Sequence, residues 1–455
     1  MRNQLVILIT ILSISLGFSQ EQNYSFTLDE AIDFALENNY SAINANRDII
    51  DAQKQKWETI AGGLPQINGS VGYSNQIKQA ESLFPSILIP EAFIPAEIVQ
   101  GPDVFIPIIF SLPQSMTATA TLTQQIFDGS YIVGVQATKA FLSYSDNNKE
   151  KTDLDVRKQV VEAYGNVLLA EESVKILEKN KETLEKTLFE TSKLFENGLG
   201  DEESVDQLQI TLSSIENQLQ NTLRLKEITL QMLNVSMGLD LNAPTQLQEK
   251  LEDLTMSKMD LGILTTDFNI EDNVDYKLAE NLNEQRFFEW KLARSRALPT
   301  LNAYVNYGSS AYSESFDFFS GDQEWFDSSI LGLDLNIPIF SSLKRSASTQ
   351  RAKIALEKAK TQLTEAEQQI RLQLENAKNN YTLAIDNYET AKQNLMLSER
   401  IENKNQIKYK EGLATSFELR QAQTQLYTTQ QEFLQSMVEV INKKTELEII
   451  INTKD

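Results

Sequence analysis

The chain states one structural sentence twice, and that duplication limits what it can fold into. Leu64-Pro65-Gln66-Ile67-Asn68 recurs as Leu298-Pro299-Thr300-Leu301-Asn302, and Ile126-Phe127 at the end of one β-like run recurs as Ile339-Phe340 at the end of another. Phe195-Glu196-Asn197-Gly198-Leu199 recurs as Tyr409-Lys410-Glu411-Gly412-Leu413. The offsets are 234, 213 and 214 residues, so the extra length of the first copy lies between its two β-like runs. Solenoid repeats are roughly 20–50 residues long; a period above 200 marks a duplicated half-molecule. Each half reads as strand, strand, very long helix, tight turn, helix. Two halves give four strands, which cannot close a barrel alone. The architecture calls for an oligomer.

Composition narrows the class. Arg2, the uncharged and mostly apolar stretch 5–16, and small residues at Gly17 and Ser19 form a secretory leader over residues 1–19. The stretch is too short to span a bilayer as a helix, which needs about 20 apolar residues. The chain holds Cys 0 and His 0. It therefore has no disulfide, no thiol nucleophile, no imidazole base and few ligands for transition metals. Catalysis, a cofactor and a metal site are not expected. The net charge of −23, or −24 once the leader and Arg2 are lost, repels nucleic acid. Beyond the leader no apolar run approaches 18 residues, so a membrane-entering mature chain must do so as a β-barrel.

Four runs alternate with period two. Ile67, Gly69, Val71 and Tyr73 face away from Asn68 and Ser70; Thr117, Thr119, Thr121 and Thr123 face away from Ala118, Ala120 and Leu122. In the second half Leu301, Ala303, Val305 and Tyr307 alternate with Asn302 and Asn306, and Leu331, Leu333, Leu335 and Ile337 with Asp334 and Asn336. Each run approaches the 9–11 residues that a tilted membrane strand needs, one face apolar and one polar. Between the first two lies an apolar insertion spaced by Pro85, Pro90, Pro95, Pro102, Pro107 and Pro113. Proline removes ladder donors and breaks helices, so the insertion is expected to be a loop without a strand pair.

The helices carry the strongest pattern. Ala352, Leu356, Ala359, Leu363, Ala366, Ile370, Leu374, Ala377, Tyr381, Ala384, Tyr388, Ala391 and Leu395 follow heptad steps, the signature of coiled-coil packing. A helix over 342–410 is roughly 100 Å long at 1.5 Å per residue. A second of similar length is expected from Gly129 to about Asn197, and each ends in a Gly-Leu turn before a return helix. Thr27 and Glu30 read as a capping box opening one helix to about Ala61.

The doubled Leu-Pro-x-[Ile/Leu]-Asn, the doubled Ile-Phe, the two Gly-Leu tips and the run from Lys408 to Leu419 carry a family resemblance. Over essentially its whole mature length the chain resembles the TolC-like outer-membrane efflux proteins. The resemblance implies a mixed α and β membrane protein with two repeats of strand hairpin plus long helical hairpin. It implies a homotrimer whose 12-stranded β-barrel in the Gram-negative outer membrane continues into a long periplasmic α-helical barrel. On this reading residues 20–61 are N-terminal helices, 62–128 the first β-hairpin with a long extracellular loop, and 129–238 the first helical hairpin. Residues 239–296 form an equatorial segment and return helix, 297–341 the second β-hairpin, and 342–455 the second helical hairpin and C-terminus. The implied function is a passive exit duct for small molecules or polypeptides, in a tripartite efflux pump or a type I secretion system. Its implied partners are outer-membrane lipid, a periplasmic adaptor (membrane fusion) protein and an inner-membrane pump of RND, ABC or MFS type. The competing reading is a structural coiled-coil protein of periplasm or cell surface, which explains the heptads and acidity but not the alternating strands. An exported enzyme with carboxylate catalysis lacks any break in the helices where a pocket would form.

By the same resemblance, Gly198, Leu199, Gly412, Leu413 and Thr415 are the adaptor-docking tips. Glu203, Asp206 and Glu418 are expected to line the periplasmic entrance, where in a trimer each inward acid becomes a ring of three. The family carries two acids one turn apart after the second tip. Glu418 fills the first position and Gln421 stands at the second, so the other hairpin's Glu203 and Asp206 are read as the paired acids. The plainer role of all these acids is to sit favourably at helix N-termini.

Overall fold

The computed structural model of the chain describes residues 24–452, and the leader read at 1–19 lies outside them. In chain order the elements are β1 (Tyr24–Phe26), α1 (Leu28–Asn38), α2 (Tyr40–Ala61), β2 (Gln66–Asn75), β3 (Ser82–Pro85) and β4 (Phe105–Ile108). There follow β5 (Gln114–Asp128), α3 (Gly129–Glu196), α4 (Glu202–Met237), β6 (Thr245–Leu247) and α5 (Leu251–Lys258). The second half holds α6 (Val274–Ser295), β7 (Thr300–Ser313), β8 (Phe326–Asn336), α7 (Lys344–Lys410) and α8 (Ser416–Ile451). Two compact units result: one from residues up to 53, 140–284 and 357 onward, the other from 54–139 and 285–356.

The second unit is built on an antiparallel sheet in the order β2-β5-β7-β8. Its register sorts the side chains by polarity. Ile67 pairs with Leu122, Leu122 with Val305, and Val305 with Leu331, so one face is a continuous apolar band. On the other face Asn68 pairs with Thr121 and Thr121 with Asn306. That face is knit by side chains: Asn306 Nδ2 donates to Thr121 Oγ1 at 2.7 Å, and the Ser70 and Thr119 hydroxyls meet at 2.7 Å. Ile330 opposite Asn306 is the exception. The apolar band is exposed, Val71 and Leu331 included. Strands β2 and β8 are the sheet's edges, each with one unpaired row of backbone groups.

The structure departs from the sequence reading in three places. The proline-rich insertion does form a strand pair, β3 with β4, in which Leu83 stands opposite Pro107 and Pro85 opposite Phe105. Two four-residue strands use few ladder donors, so a proline in each is tolerated, as it is on edge strands generally. The helix expected from Thr27 to Ala61 breaks at Asn39, although the Thr27–Glu30 capping box is present. Asn39 is extended (φ −62°, ψ 136°); its Nδ2 donates to the Ser236 carbonyl at 2.8 Å and its Oδ1 accepts from Ser41 N–H at 2.7 Å. A tertiary bond plus a new N-cap outweighs one more helical residue. Ile339-Phe340 does not end a strand: β8 stops at Asn336, ahead of Pro338.

In the first unit the heptad seam of α7 is buried as its spacing requires, with Ala377, Tyr381, Ala384 and Tyr388 at the centre of a core shared with α1, α3, α4, α5 and α8. Tyr381 also has a task that the seam pattern did not show. Its hydroxyl accepts from Asp260 N–H at 3.0 Å and lies 3.2 Å from the carbonyls of Lys258 and Asp260. One aromatic seam residue thus ties the segment after α5 onto a long helix. A second apolar cluster, Leu177, Leu184, Leu208, Leu212 and Ile215 among it, zips α3 to α4 toward their shared turn.

Candidate functional site

The two helical hairpins turn by the same device. Gly198 and Gly412 have φ of +78° and +70°, the left-handed region that glycine enters most easily. At each tip the N–H after the glycine reaches back over five residues, Leu199 to the Leu194 carbonyl at 2.9 Å and Leu413 to that of Lys408 at 2.8 Å. The glycine N–H bonds the carbonyl three residues back, at 2.8 Å for Gly198 and 3.0 Å for Gly412. This pair of bonds is the Schellman motif. Three residues past each glycine comes the N-cap of the return helix. Asp201 Oδ1 accepts from Ser204 N–H at 2.7 Å, and Thr415 Oγ1 from Glu418 N–H at 3.2 Å. The turns push apolar side chains outward: Leu199 is 78% and Leu413 77% exposed, with Phe417 exposed beside them.

The acids take different positions. Glu418 closes a capping box, accepting from Thr415 N–H at 2.8 Å. Those Thr415 hydrogen bonds hold its carboxyl below the usual range, with Lys408 adding to the effect, so it stays ionised. Glu203 accepts from Gln207 Nε2 at 3.0 Å, and Gln207 Oε1 in turn accepts from Ser416 Oγ at 3.2 Å. Asp206 is exposed on the turn beyond. A cleft of about 980 Å³ separates the two tips; Leu199, Glu203, Gly412 and Thr415 line it, and Asp206 and Glu418 do not.

Contacts between the hairpins lie just behind the turns. The Thr191 and Tyr409 hydroxyls meet at 3.1 Å, and Lys410 pairs with Glu190 at 3.4 Å. The sequence reading missed these residues, though a signal for one existed. Continued past Leu395, the heptad steps fall on Ser398, Glu402, Asn405 and Tyr409, so the seam runs on to the tip with polar residues in it.

Glu402 is the sharpest of them. Burial raises its carboxyl above the usual range, while Gln423 beside it pulls the other way. Gln423 is 1% exposed, so its amide is buried beside that carboxyl. Tyr427, the neighbour on α8, is pushed up by its own burial and then by the Glu402 charge. A raised carboxyl pKa penalises the ionised form. The penalty is absent below the unfolded value, grows as pH rises through the interval, and is complete above the folded value. The polar end of the seam is therefore tighter in mild acid. After correction for intrinsic rates, amide exchange over residues 398–427 should slow as the pH is lowered from neutral toward the ordinary carboxylate range. Glu402→Gln should flatten that dependence; an unchanged pH response in the variant would refute the assignment.

The chain thus joins a two-faced sheet with open edges to two long helical hairpins that repeat one design. The model of the outer membrane efflux protein family matches residues 31–239 and 273–453, and the chain belongs to that family. Members of this family are channels of the Gram-negative outer membrane that reach into the periplasm, and they are not enzymes. Solved structures with the same fold include VceC of Vibrio cholerae, with a TM-score of 0.69, 16% identity, and 93% of this chain and 95% of that one covered. CmeC of Campylobacter jejuni matches with a TM-score of 0.71, 18% identity, and coverage of 93% and 85%. MtrE of Neisseria gonorrhoeae, solved in an open state, gives 0.70, 16%, and 93% and 88%. None of the curated proteins matches the chain in sequence.

Proposed function

We propose that three copies close their four-stranded sheets into one 12-stranded barrel and serve as the passive exit duct of a tripartite efflux pump. The observation that carries this is the sheet: an exposed apolar band on one face, a hydrogen-bonded polar face on the other, and two free edges. In hydrocarbon an unpaired backbone group costs several kcal/mol, and closure around a ring removes every edge. The edges run antiparallel to each other, so β2 of one copy meets β8 of the next with the alternation kept. The polar face then lines a water-filled lumen wide enough for small molecules or, in a secretion system, for polypeptides. At the tips, Leu199, Leu413 and Phe417 offer a periplasmic adaptor protein an apolar contact on rigid turns, and that adaptor couples the duct to an inner-membrane pump. Purified in detergent, the mature chain should run as a trimer that forms open pores in planar bilayers. A monodisperse, detergent-free monomer would overturn the reading.

Within it, Glu203, Asp206 and Glu418 stand at the periplasmic entrance as rings, three per chain in three chains, about nine carboxylates focused by low-dielectric walls. Replacing all three with glutamine or asparagine should lower the cation-over-anion permeability ratio several-fold and weaken block by polyvalent cations added from the tip side. Unchanged selectivity in a trimer that still conducts would leave these residues as helix-start acids and nothing more.

A further inference from the structure

Residues 76–113 join β2 to β5, and they expose far more apolar surface than a soluble loop does. Ile77 is fully exposed, and Leu88, Phe93, Val99 and Phe110 are largely so. The segment is nonetheless built. Beyond the β3–β4 pair, Ser86 is wholly buried and exchanges hydrogen bonds with the Gly101 backbone, its Oγ accepting from Gly101 N–H at 3.1 Å. Gln100 Nε2 donates to the Ile89 carbonyl at 2.7 Å. An ordered segment with a large outward apolar patch marks a contact surface.

The register says what can stand against it. Asn75 pairs with Gln114, Gln114 with Ser313, and Ser310 with Phe326, so the end of β2 and the start of β8 lie at the same end of the sheet, on its two opposite edges. When β2 of one copy pairs with β8 of the next, the segment that leaves β2 stands beside the residues that enter β8. Those residues are Trp325 and Phe326, both exposed large aromatics. Lipid is the poorer occupant. Glu81, Glu91, Glu97 and Asp103 outnumber Lys78 in the segment, so it is repelled by anionic headgroups. Its prolines leave backbone carbonyls that hydrocarbon cannot satisfy.

We propose that the 76–113 segment of each copy clasps the Trp325–Phe326 rim of the neighbouring copy, an apolar inter-protomer contact beyond the strand seam. The inference rests on the trimer reading, and two cysteine pairs separate their failures. The chain holds no cysteine of its own, so every introduced thiol reports alone. Asn75→Cys at the end of β2 with Asp327→Cys at the start of β8 tests the seam; Phe93→Cys with Trp325→Cys and Leu88→Cys with Trp325→Cys test the clasp. Membranes holding each double variant are treated with a short bis-maleimide and run on denaturing gels. Covalent dimers and trimers are expected from all three pairs and from none of the single variants. Oligomers from the seam pair alone overturn the clasp and leave the trimer standing. Oligomers from no pair overturn both. As a second readout, the triple variant L88S, F93S, F110S should lower the temperature at which the trimer band dissociates, with the pore conductance per trimer retained. An unshifted dissociation temperature also counts against the clasp.

Discussion

Gly238→Ala should leave little folded protein, whereas Gly198→Ala should be tolerated, although both glycines end a helix at nearly the same φ (+80° and +78°). The difference is what surrounds them. A Cβ at Gly198 would meet nothing within 4 Å; one at Gly238 would stand 2.1 Å from the Asn38 carbonyl oxygen and 2.6 Å from its carbon. Neither side can retreat. Gly238 and Leu239 close the end of α4 with bonds to the Val235 and Asn234 carbonyls at 3.0 and 2.8 Å, and Asn39 is pinned to Ser236 at 2.8 Å. The left-handed backbone alone costs an L-residue about 1–2 kcal/mol, and overpacking a fixed site adds about 1–3 kcal/mol. The sum, about 2–5 kcal/mol, falls on the joint between α1, α2 and α4, against about 1–2 kcal/mol at Gly198. Thermal denaturation of the two purified variants decides it. Equal stability would mean that the Asn38–Gly238 contact relaxes freely.

That joint also shows where sequence reasoning ends. The sheet was legible because its signal is local: period-two alternation assigns the faces of Ile67–Tyr73 and Leu331–Leu335 without knowledge of any partner. The long helices were legible for the same reason, since heptad spacing and a Gly-Leu end are written within each element. The break at Asn39 was not, because asparagine disfavours helix only weakly and the deciding bond comes from Ser236, nearly 200 residues away. The β3–β4 pair was hidden by a rule that usually holds, that proline marks loop. At the tips the turn residues were readable and the contacts between the hairpins were not. Thr191 and Tyr409 meet across a separation of 218 residues. The seam itself was followed only while it stayed apolar, so Glu402 and Tyr409 dropped out of a pattern they obey by position.

This polar end of the seam gives the tips their character. From Ala377 to Ala391 the seam packs buried alanine and tyrosine; from Ser398 onward it holds a half-buried carboxyl, the buried Gln423 amide beside it and hydroxyl contacts. Apolar packing of that kind holds one arrangement, whereas polar groups can exchange partners with water at little cost. Along this seam the hairpins are thus joined by apolar packing at their middles and by polar contacts near their tips.

The combined variant Gly198→Val, Gly412→Val should abolish efflux in cells while the trimer still assembles and conducts. A Cβ at either glycine would meet nothing within 4 Å, so the main objection to valine comes from the backbone. A β-branched residue at φ near +75° costs at least the about 1–2 kcal/mol of an ordinary L-residue, and it costs that at both turns. The chain relieves the strain by opening the turn, which breaks the Leu199–Leu194 and Leu413–Lys408 bonds and frees both leucines from their fixed positions. An interface energy concentrated in a few rigid apolar anchors is lost when those anchors become mobile. The sheet lies in the other unit and keeps its register, so bilayer conductance should persist. Gly198→Asn with Gly412→Asn is the control, because asparagine enters the left-handed region readily; it should retain most of the efflux, with export by the valine pair at least about tenfold lower, a coupling loss of about 1.4 kcal/mol or more. Full efflux in the valine pair would separate the tip turns from adaptor coupling and move the docking surface elsewhere on the hairpins.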